Sequence, residues 1–187
     1  MQRNISAKFT KPKMLTPRPY QSAALDALDA HVQTRPGNPC VVIPTGGGKS
    51  LLMALAIQRW KEAAPHFRCM VLAHRKELVR QNHDEMLEVW PEVEAGIYSA
   101  GLNRRDLDHP VLFASIDSVW NKAAQFPRFD CIIVDEAHRI PARGEGKYRT
   151  FLRNFPRAIV VGFTATPYRM GAGAICHRDH ILNEVCY

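Results

Sequence analysis

The run Cys40-Val41-Val42-Ile43, the turn Pro44-Thr45-Gly46-Gly47-Gly48-Lys49-Ser50 and the stretch Leu51-Leu52-Met53-Ala54-Leu55-Ala56-Ile57 follow one another without a gap. An apolar strand, a glycine-rich turn and a helix are therefore expected in direct succession, the opening of a βαβ unit. The glycines let the backbone bend sharply and aim several N–H groups inward. A helix beginning near Lys49 adds the positive end of its dipole at the same place. A polyphosphate suits such a turn, with Lys49 reaching the terminal phosphates as a point charge and the Ser50 hydroxyl holding Mg²⁺. Thr45, Gly46, Gly47, Gly48, Lys49 and Ser50 are accordingly candidate cofactor-binding residues. The strict pattern has a glycine at position 43, where this chain has Ile. A bare turn before a helix is the alternative reading.

Further apolar runs lie at Cys69 to Ala73, Val111 to Ser115, Cys131 to Val134 and Ala158 to Phe163, with a shorter strand expected over Glu94 to Ser99. Between them, helical spacing covers Tyr20 to Val32, Lys49 to Ala63, Arg75 to Trp90, Ile116 to Ala124 and Tyr148 to Asn154. This alternation predicts an α/β fold, an open and mostly parallel sheet with helices on both faces and a ligand crevice at the carboxyl ends of the strands. At 187 residues one domain is the default. Residues 1–14 are basic with no apolar stretch behind them, so they read as a flexible tail and not as a signal peptide, leaving 15–187 as the domain. No run approaches the ~18 consecutive apolar residues of a membrane span. A cytoplasmic, monomeric protein without a membrane partner is the expectation.

The 25 Lys and Arg against 18 Asp and Glu give a net charge of +7, which suits a polyanion but also describes many ordinary proteins. Five cysteines form no Cys-x-x-Cys pair, and Cys40, Cys69 and Cys131 fall in strand-like runs as buried thiols. Near the end, Cys176, His177, His180 and Cys186 present metal-type side chains, yet their spacing is not a usual structural zinc pattern. A zinc site and a plain loop both stay open.

Asp135-Glu136-Ala137-His138 follows the run Cys131 to Val134 at once, placing two carboxylates at a strand's carboxyl end. In an open α/β sheet that end faces the same crevice as the phosphate loop. Asp135 then holds Mg²⁺ and Glu136 orients and deprotonates an attacking water. The alternative is an exposed acidic strand end. Gly162-Phe163-Thr164-Ala165-Thr166-Pro167 closes another strand, and its hydroxyls are candidates to hydrogen-bond His138 or the acids. Arg139, Arg143, Lys147, Arg149 and Arg153, with Tyr148 and Phe151 between them, suit either a nucleic-acid strand or a solvated helix face whose aromatics pack inward.

In order, these residues resemble the first RecA-like motor domain of superfamily 2 helicases of DEAH-box type. Thr16-Pro17-Arg18-Pro19-Tyr20-Gln21 is similar to the adenine-recognising segment, Pro44 to Ser50 to motif I, Leu72 to Gln81 to motif Ia, Asp135 to His138 to motif II, and Thr164 to Pro167 to motif III. Ala73-His74-Arg75-Lys76-Glu77-Leu78, Asp135 to Ile140 and Gly162 to Arg169 look most like the RadD family of DNA-repair helicases. The resemblance implies an ATP-dependent helicase or translocase using ATP and Mg²⁺ on nucleic acid, by family likeness DNA. It implies that Lys49, Asp135, Glu136 and His138 are catalytic, that Gln21 reads the adenine edge, and that Arg18 lies against base or phosphate. His138 would couple the nucleotide to the nucleic-acid site through Thr164 and Thr166, while Arg75, Gly101 and Ser115 would contact a strand's backbone. As alternatives, Arg75 is a solvated charge and Ser115 a helix cap.

Motors of this type hydrolyse ATP between two lobes, the second supplying an arginine. No residues after Pro167 suffice for another lobe, so the chain is expected to pair with a second lobe of a larger protein and, alone, to bind nucleotide but turn it over poorly.

Overall fold

A computed structural model describes residues 16–142, 144–169 and 173–187. The expected tail and Arg143 lie outside the described residues. The first helix, α1 (Pro19–Thr34), begins at a proline whose fixed φ suits the first turn, and the Gln21 side chain accepts the Arg18 backbone N–H at 2.8 Å. Strand β1 (Pro39–Val42) leads through the glycine turn into α2 (Lys49–Ala63), and β2 (Cys69–Ala73) leads into α3 (Lys76–Val89). Then come β3 (Ala95–Ser99), the short β4 (Arg104–Arg105), β5 (Val111–Ser115), α4 (Ile116–Val119), β6 (Cys131–Asp135), α5 (Lys147–Leu152) and β7 (Ile159–Thr164). A small hairpin of β8 (Tyr168–Arg169) with β9 (Gly173–Ala174) precedes β10 (Glu184–Val185).

The main sheet runs β10-β1-β7-β6-β2-β5-β3-β4, and only the β3–β4 pair is antiparallel. Alternation along each strand divides the core. Val41, Val71, Phe113, Ile133 and Phe163 pack under α1, α2 and α3, while Cys40, Met70, Leu72, Ile132 and Val134 pack under α4 and α5. Because both faces are covered, the strands read as unbroken apolar runs in sequence. The α/β expectation therefore holds.

One expected helix is much shorter. The spacing over Ile116 to Ala124 predicts a continuous helix, but α4 stops at Val119 and a 3₁₀ turn follows at Ala123–Gln125. Phe126 draws the segment off the helical path, since its ring packs edge-on against Tyr98 at 5.0 Å and Phe151 at 6.1 Å. Burying that aromatic outweighs a further helical turn.

The order of strands fixes the geometry of the site. The phosphate loop follows β1, the acidic pair follows β6, and β7, ending in Thr164, lies between them. With neighbouring strands ~4.8 Å apart, the two outer ends stand roughly 10 Å apart, within reach of a lysine and a glutamate extended toward each other.

Candidate functional site

The loop's shape comes from two glycines that no other residue can replace without strain. Gly48 caps α2 in the left-handed region at φ +78°. A Cβ on Gly47 would sit 2.5 Å from Ile43 Cγ2 and 2.9 Å from the Pro44 carbonyl oxygen. Ile43, only 1% exposed, is thus the floor on which the loop rests, so the departure from glycine at that position is filled by core packing.

Helix α1 holds the loop from the side. The Tyr20 hydroxyl and the Gln21 amide nitrogen both donate to the Gly47 carbonyl, at 3.0 and 3.1 Å. The expectation that Gln21 offers both amide ends to an adenine needs correction for this conformation. Its nitrogen is committed to the loop and its oxygen to the Arg18 N–H, and the side chain is buried. Arg18 itself is exposed beside the loop's supporting helix.

The acids are placed by the end of β6. Asp135 shares the face of Cys131 and Ile133, is 3% exposed, and accepts the Glu136 N–H on Oδ1 and the Asn82 amide on Oδ2, both at 2.9 Å. Burial pushes its carboxyl above the ordinary carboxylate range, the Asn82 hydrogen bond and Lys49 pull the other way, and the Glu136 charge adds to the rise. Glu136 takes φ +53°, a left-handed conformation uncommon for a residue with a Cβ. That turn breaks the strand's alternation and brings the second carboxylate to the same side. Its Oε1 lies 3.9 Å from Lys49 Nζ and its Oε2 3.3 Å from His138 Nδ1.

From there a polar chain reaches β7. His138 Nδ1 is 3.0 Å from Thr164 Oγ1, and that oxygen also accepts the Thr166 N–H at 3.1 Å and lies 3.2 Å from the Thr166 carbonyl. When the hydroxyl hydrogen is directed to that carbonyl, a histidine protonated on Nδ1 completes the chain as the donor. Burial holds the His138 imidazole below its ordinary range although Glu136 pulls upward, which keeps the ring neutral near pH 7. Thr166 takes part through its backbone, not its hydroxyl. Arg169, on the β8–β9 hairpin, donates to the carbonyls of His138 (3.0 Å) and Ile140 and fixes the backbone after the acids.

Thr45, His74, Arg75, Glu136, His138 and Thr166 line one cavity of about 510 Å³. Thr45 at the start of the phosphate loop, Glu136 with His138, Thr166 of the third cluster and the exposed Arg75 therefore open on a single crevice at the carboxyl ends of the strands. Gly101 borders a separate groove of about 500 Å³ with Lys76 and Arg80, where a Cβ would come within 3.0 Å of Lys76 Cδ.

Ser115 keeps the cap position but turns its hydroxyl inward. It stands at the N-cap of α4, but its buried hydroxyl makes no capping bond to the backbone; it bonds Ser99 at 3.2 Å and Ser118 at 2.7 Å and ties the end of β5 to the end of β3. The basic stretch resolves toward a helix face: Tyr148 and Phe151 are buried, Lys147 pairs with Asp117 at 2.6 Å and Arg153 with Glu145 at 3.0 Å. Among the described residues no group of three or more His, Cys, Asp or Glu is placed to hold a metal ion. Cys186 Sγ lies 3.5 Å from the Cys40 carbonyl, and Cys176 packs against the core that contains Cys40.

Two contributors escape a reading by motif. Tyr20 announces itself only once α1 is known to face the loop. Asn82 carries a clearer signal, a polar residue between Val79 and Met86 in the apolar stripe of α3.

The sequence matches the family described as "Type III restriction enzyme, res subunit" over residues 14–169. The chain belongs to this family. As a member of the restriction-subunit family it is a superfamily 2 helicase-type motor domain with a RecA-like fold. A curated relative, "Putative ATP-dependent helicase IRC3" of Saccharomyces cerevisiae, is 28% identical over 91% of this chain, which spans 26% of the relative's length. Among solved structures, the UvsW helicase of bacteriophage T4 superposes with a TM-score of 0.72 at 17% identity, covering 94% of this chain and 61% of that one. The Sulfolobus solfataricus SWI2/SNF2 ATPase core bound to double-stranded DNA superposes at 0.69 with 14% identity, covering 84% and 34%. The domain thus shares its fold with chains of which it spans 61% and 34%.

Proposed function

We propose that this domain is the ATP-binding lobe of a DNA helicase or translocase of DEAH-box, RadD-like type serving DNA repair, and that it works against a second RecA-like lobe. The observation that carries the reading is the convergence of Lys49, buried Asp135 and Glu136, with Lys49 Nζ and Glu136 Oε1 3.9 Å apart beside the N-terminus of α2. Backbone N–H groups of Gly46 to Ser50 and the Lys49 ammonium bind the phosphates. The donor set also fits a hard divalent cation: the Ser50 hydroxyl at the start of α2 and the buried Asp135 carboxylate, whose pKa is raised first by burial and then by the Glu136 charge, a cost that a bound cation would offset. Bound Mg²⁺ would supply charge neutralisation on the β- and γ-phosphate oxygens.

Glu136, held between Lys49 and His138, orients the attacking water and takes its proton. The neutral His138 donates from Nδ1 to Thr164, so a change at the Glu136 carboxylate alters a bond that ends on β7 and the hairpin beyond it. Arg75 and Gly101 border the crevice and groove offered to the strand's phosphates. Movement along duplex DNA without strand separation is the second reading, favoured by the likeness of the fold to a DNA-bound SWI2/SNF2 core. Forked-duplex unwinding beside triplex displacement, run on the intact protein, separates the two.

The test of the site itself is calorimetric. Lys49→Ala should abolish ATP binding or weaken it severely, whereas Glu136→Gln should bind ATP about as tightly as the parent and, in the intact protein, lose on the order of 10² to 10⁴ in turnover. ATP binding by Lys49→Ala equal to the parent's would refute the phosphate-loop assignment.

A further inference from the structure

The acids have a support that the coupling through His138 does not use. Helix α3 turns Val79, Asn82, His83 and Met86 into the core, and Asn82 is only 2% exposed. An amide at the centre of an apolar stripe is costly unless it is hydrogen-bonded. Its Nδ2 donates to Asp135 Oδ2 at 2.9 Å, while its Oδ1 has no protein partner among the described residues. A residue kept only for packing would not leave a buried acceptor bare, since that alone costs roughly 1–3 kcal/mol.

Asp135 has two oxygens and two donors. The Glu136 N–H is local and would follow the carboxylate wherever the β6 turn went. Asn82 comes from another element, 53 residues earlier in the chain, and fixes the carboxylate against the body of the domain. The same helix has Arg75 as its N-cap at the crevice and lines the groove beside Gly101 through Lys76 and Arg80. Asn82 stands seven residues from Arg75, or about 10 Å along the helix axis.

We propose that Asn82 is a positioning residue that sets the Asp135 carboxylate for the divalent cation, and that through it α3 forms a second mechanical link between the crevice side of the domain and the metal-holding acid. The proposal rests on the ATP-site reading above and adds to it a residue and a route. A ligand-orienting hydrogen bond of this kind typically governs 10- to 100-fold in metal affinity. A shift of α3 would be passed to Asp135 as a rotation of its carboxylate, without passing through Thr164.

The test uses this chain with Mn²⁺ as the spectroscopic stand-in for Mg²⁺ and a non-hydrolysable ATP analogue. Asn82→Leu, close in volume and without a donor, should weaken Mn²⁺ binding to the analogue complex by about 10- to 100-fold by electron paramagnetic resonance. Metal-free analogue binding should stay at the parent's level. Asp135→Asn should weaken Mn²⁺ binding as well, and the double variant should be no weaker than Asp135→Asn alone, because Asn82 acts through that carboxylate. If Asn82→Leu does not fold, Asn82→Ala, which inserts no new atoms, takes its place in the cycle. Parent-like Mn²⁺ affinity in the folded Asn82 variant, or effects that simply add in the double variant, would overturn the proposal while leaving the ATP site standing. A parent chain that binds the analogue with no dependence on Mn²⁺ would overturn both.

Discussion

The carboxylate of Asp135 is kept where a charge is least welcome. Burial raises its pKa, so the contribution of its protonated form to stability is complete below the ordinary carboxyl range and is lost as pH rises through the elevated folded-state value. At neutral pH the fold therefore carries the full cost of the ionised group. Asp135→Asn removes that charge at nearly the same shape. If its oxygen accepts the Glu136 N–H and the Asn82 amide turns over, the new amide donates to Asn82 Oδ1, the acceptor now without a protein partner among the described residues. The variant should melt at a higher temperature than the parent at pH 7, and the gap should close as pH falls into the ordinary carboxyl range. Parallel melting curves across that pH window would check it, and an unchanged gap would contradict the assignment. At this scale the sequence was informative where chemistry sits directly after an apolar run, as with Lys49 and Glu136. It was silent on Tyr20 and on the partner of Asn82, because those depend on which distant segments become neighbours. It placed Ser115 at the start of α4 but gave no sign that its hydroxyl faces the interior.

Among the elements, the central strands were legible because helices cover both faces, so β2 and β5 are buried throughout and apolar up to Ser115 at the end of β5. The two-residue strands β4, β8, β9 and β10 carry no such periodicity, since they are defined by pairing and not by burial. The weakness of α4 was hidden for a related reason: the pull of Phe126 toward Tyr98 and Phe151 is a tertiary effect. The turn between β1 and α2 is the element most tightly constrained in space. Gly47→Ala would drive a Cβ to 2.5 Å from Ile43 Cγ2, so strand end and loop must separate. A loss of about 1–3 kcal/mol in urea unfolding is expected, with ATP affinity falling as the N–H groups turn away. Gly46→Ala is a useful contrast, because its Cβ would meet no atom within 4 Å and its cost should come from the φ of +77° alone.

For the molecule as a whole, the three chemical clusters occupy the carboxyl ends of adjacent strands, and the opposite ends carry none of them. The net charge of +7 gives a broad attraction for polyanions, on which Arg75 and its neighbours act locally. Affinity for single-stranded DNA, measured by fluorescence anisotropy across a salt series, should fall linearly in a double-logarithmic plot by about 0.7 per phosphate engaged. Arg75→Ala should make that line shallower by roughly one such step, and an unaltered slope would remove Arg75 from the strand's path. The outer flank of the nucleotide site has its own vulnerability. Among the described residues, strand β1 is covered on that side by residues 184–187, with Val42 N–H donating to the Tyr187 carbonyl at 2.7 Å and Cys186 N–H to the Cys40 carbonyl at 2.9 Å. Cleavage of residues 184–187 would uncover a row of free amides and carbonyls beside the loop, ready to recruit the same strand of another copy. Loss of this edge pairing would then appear as aggregation well before the core gave way.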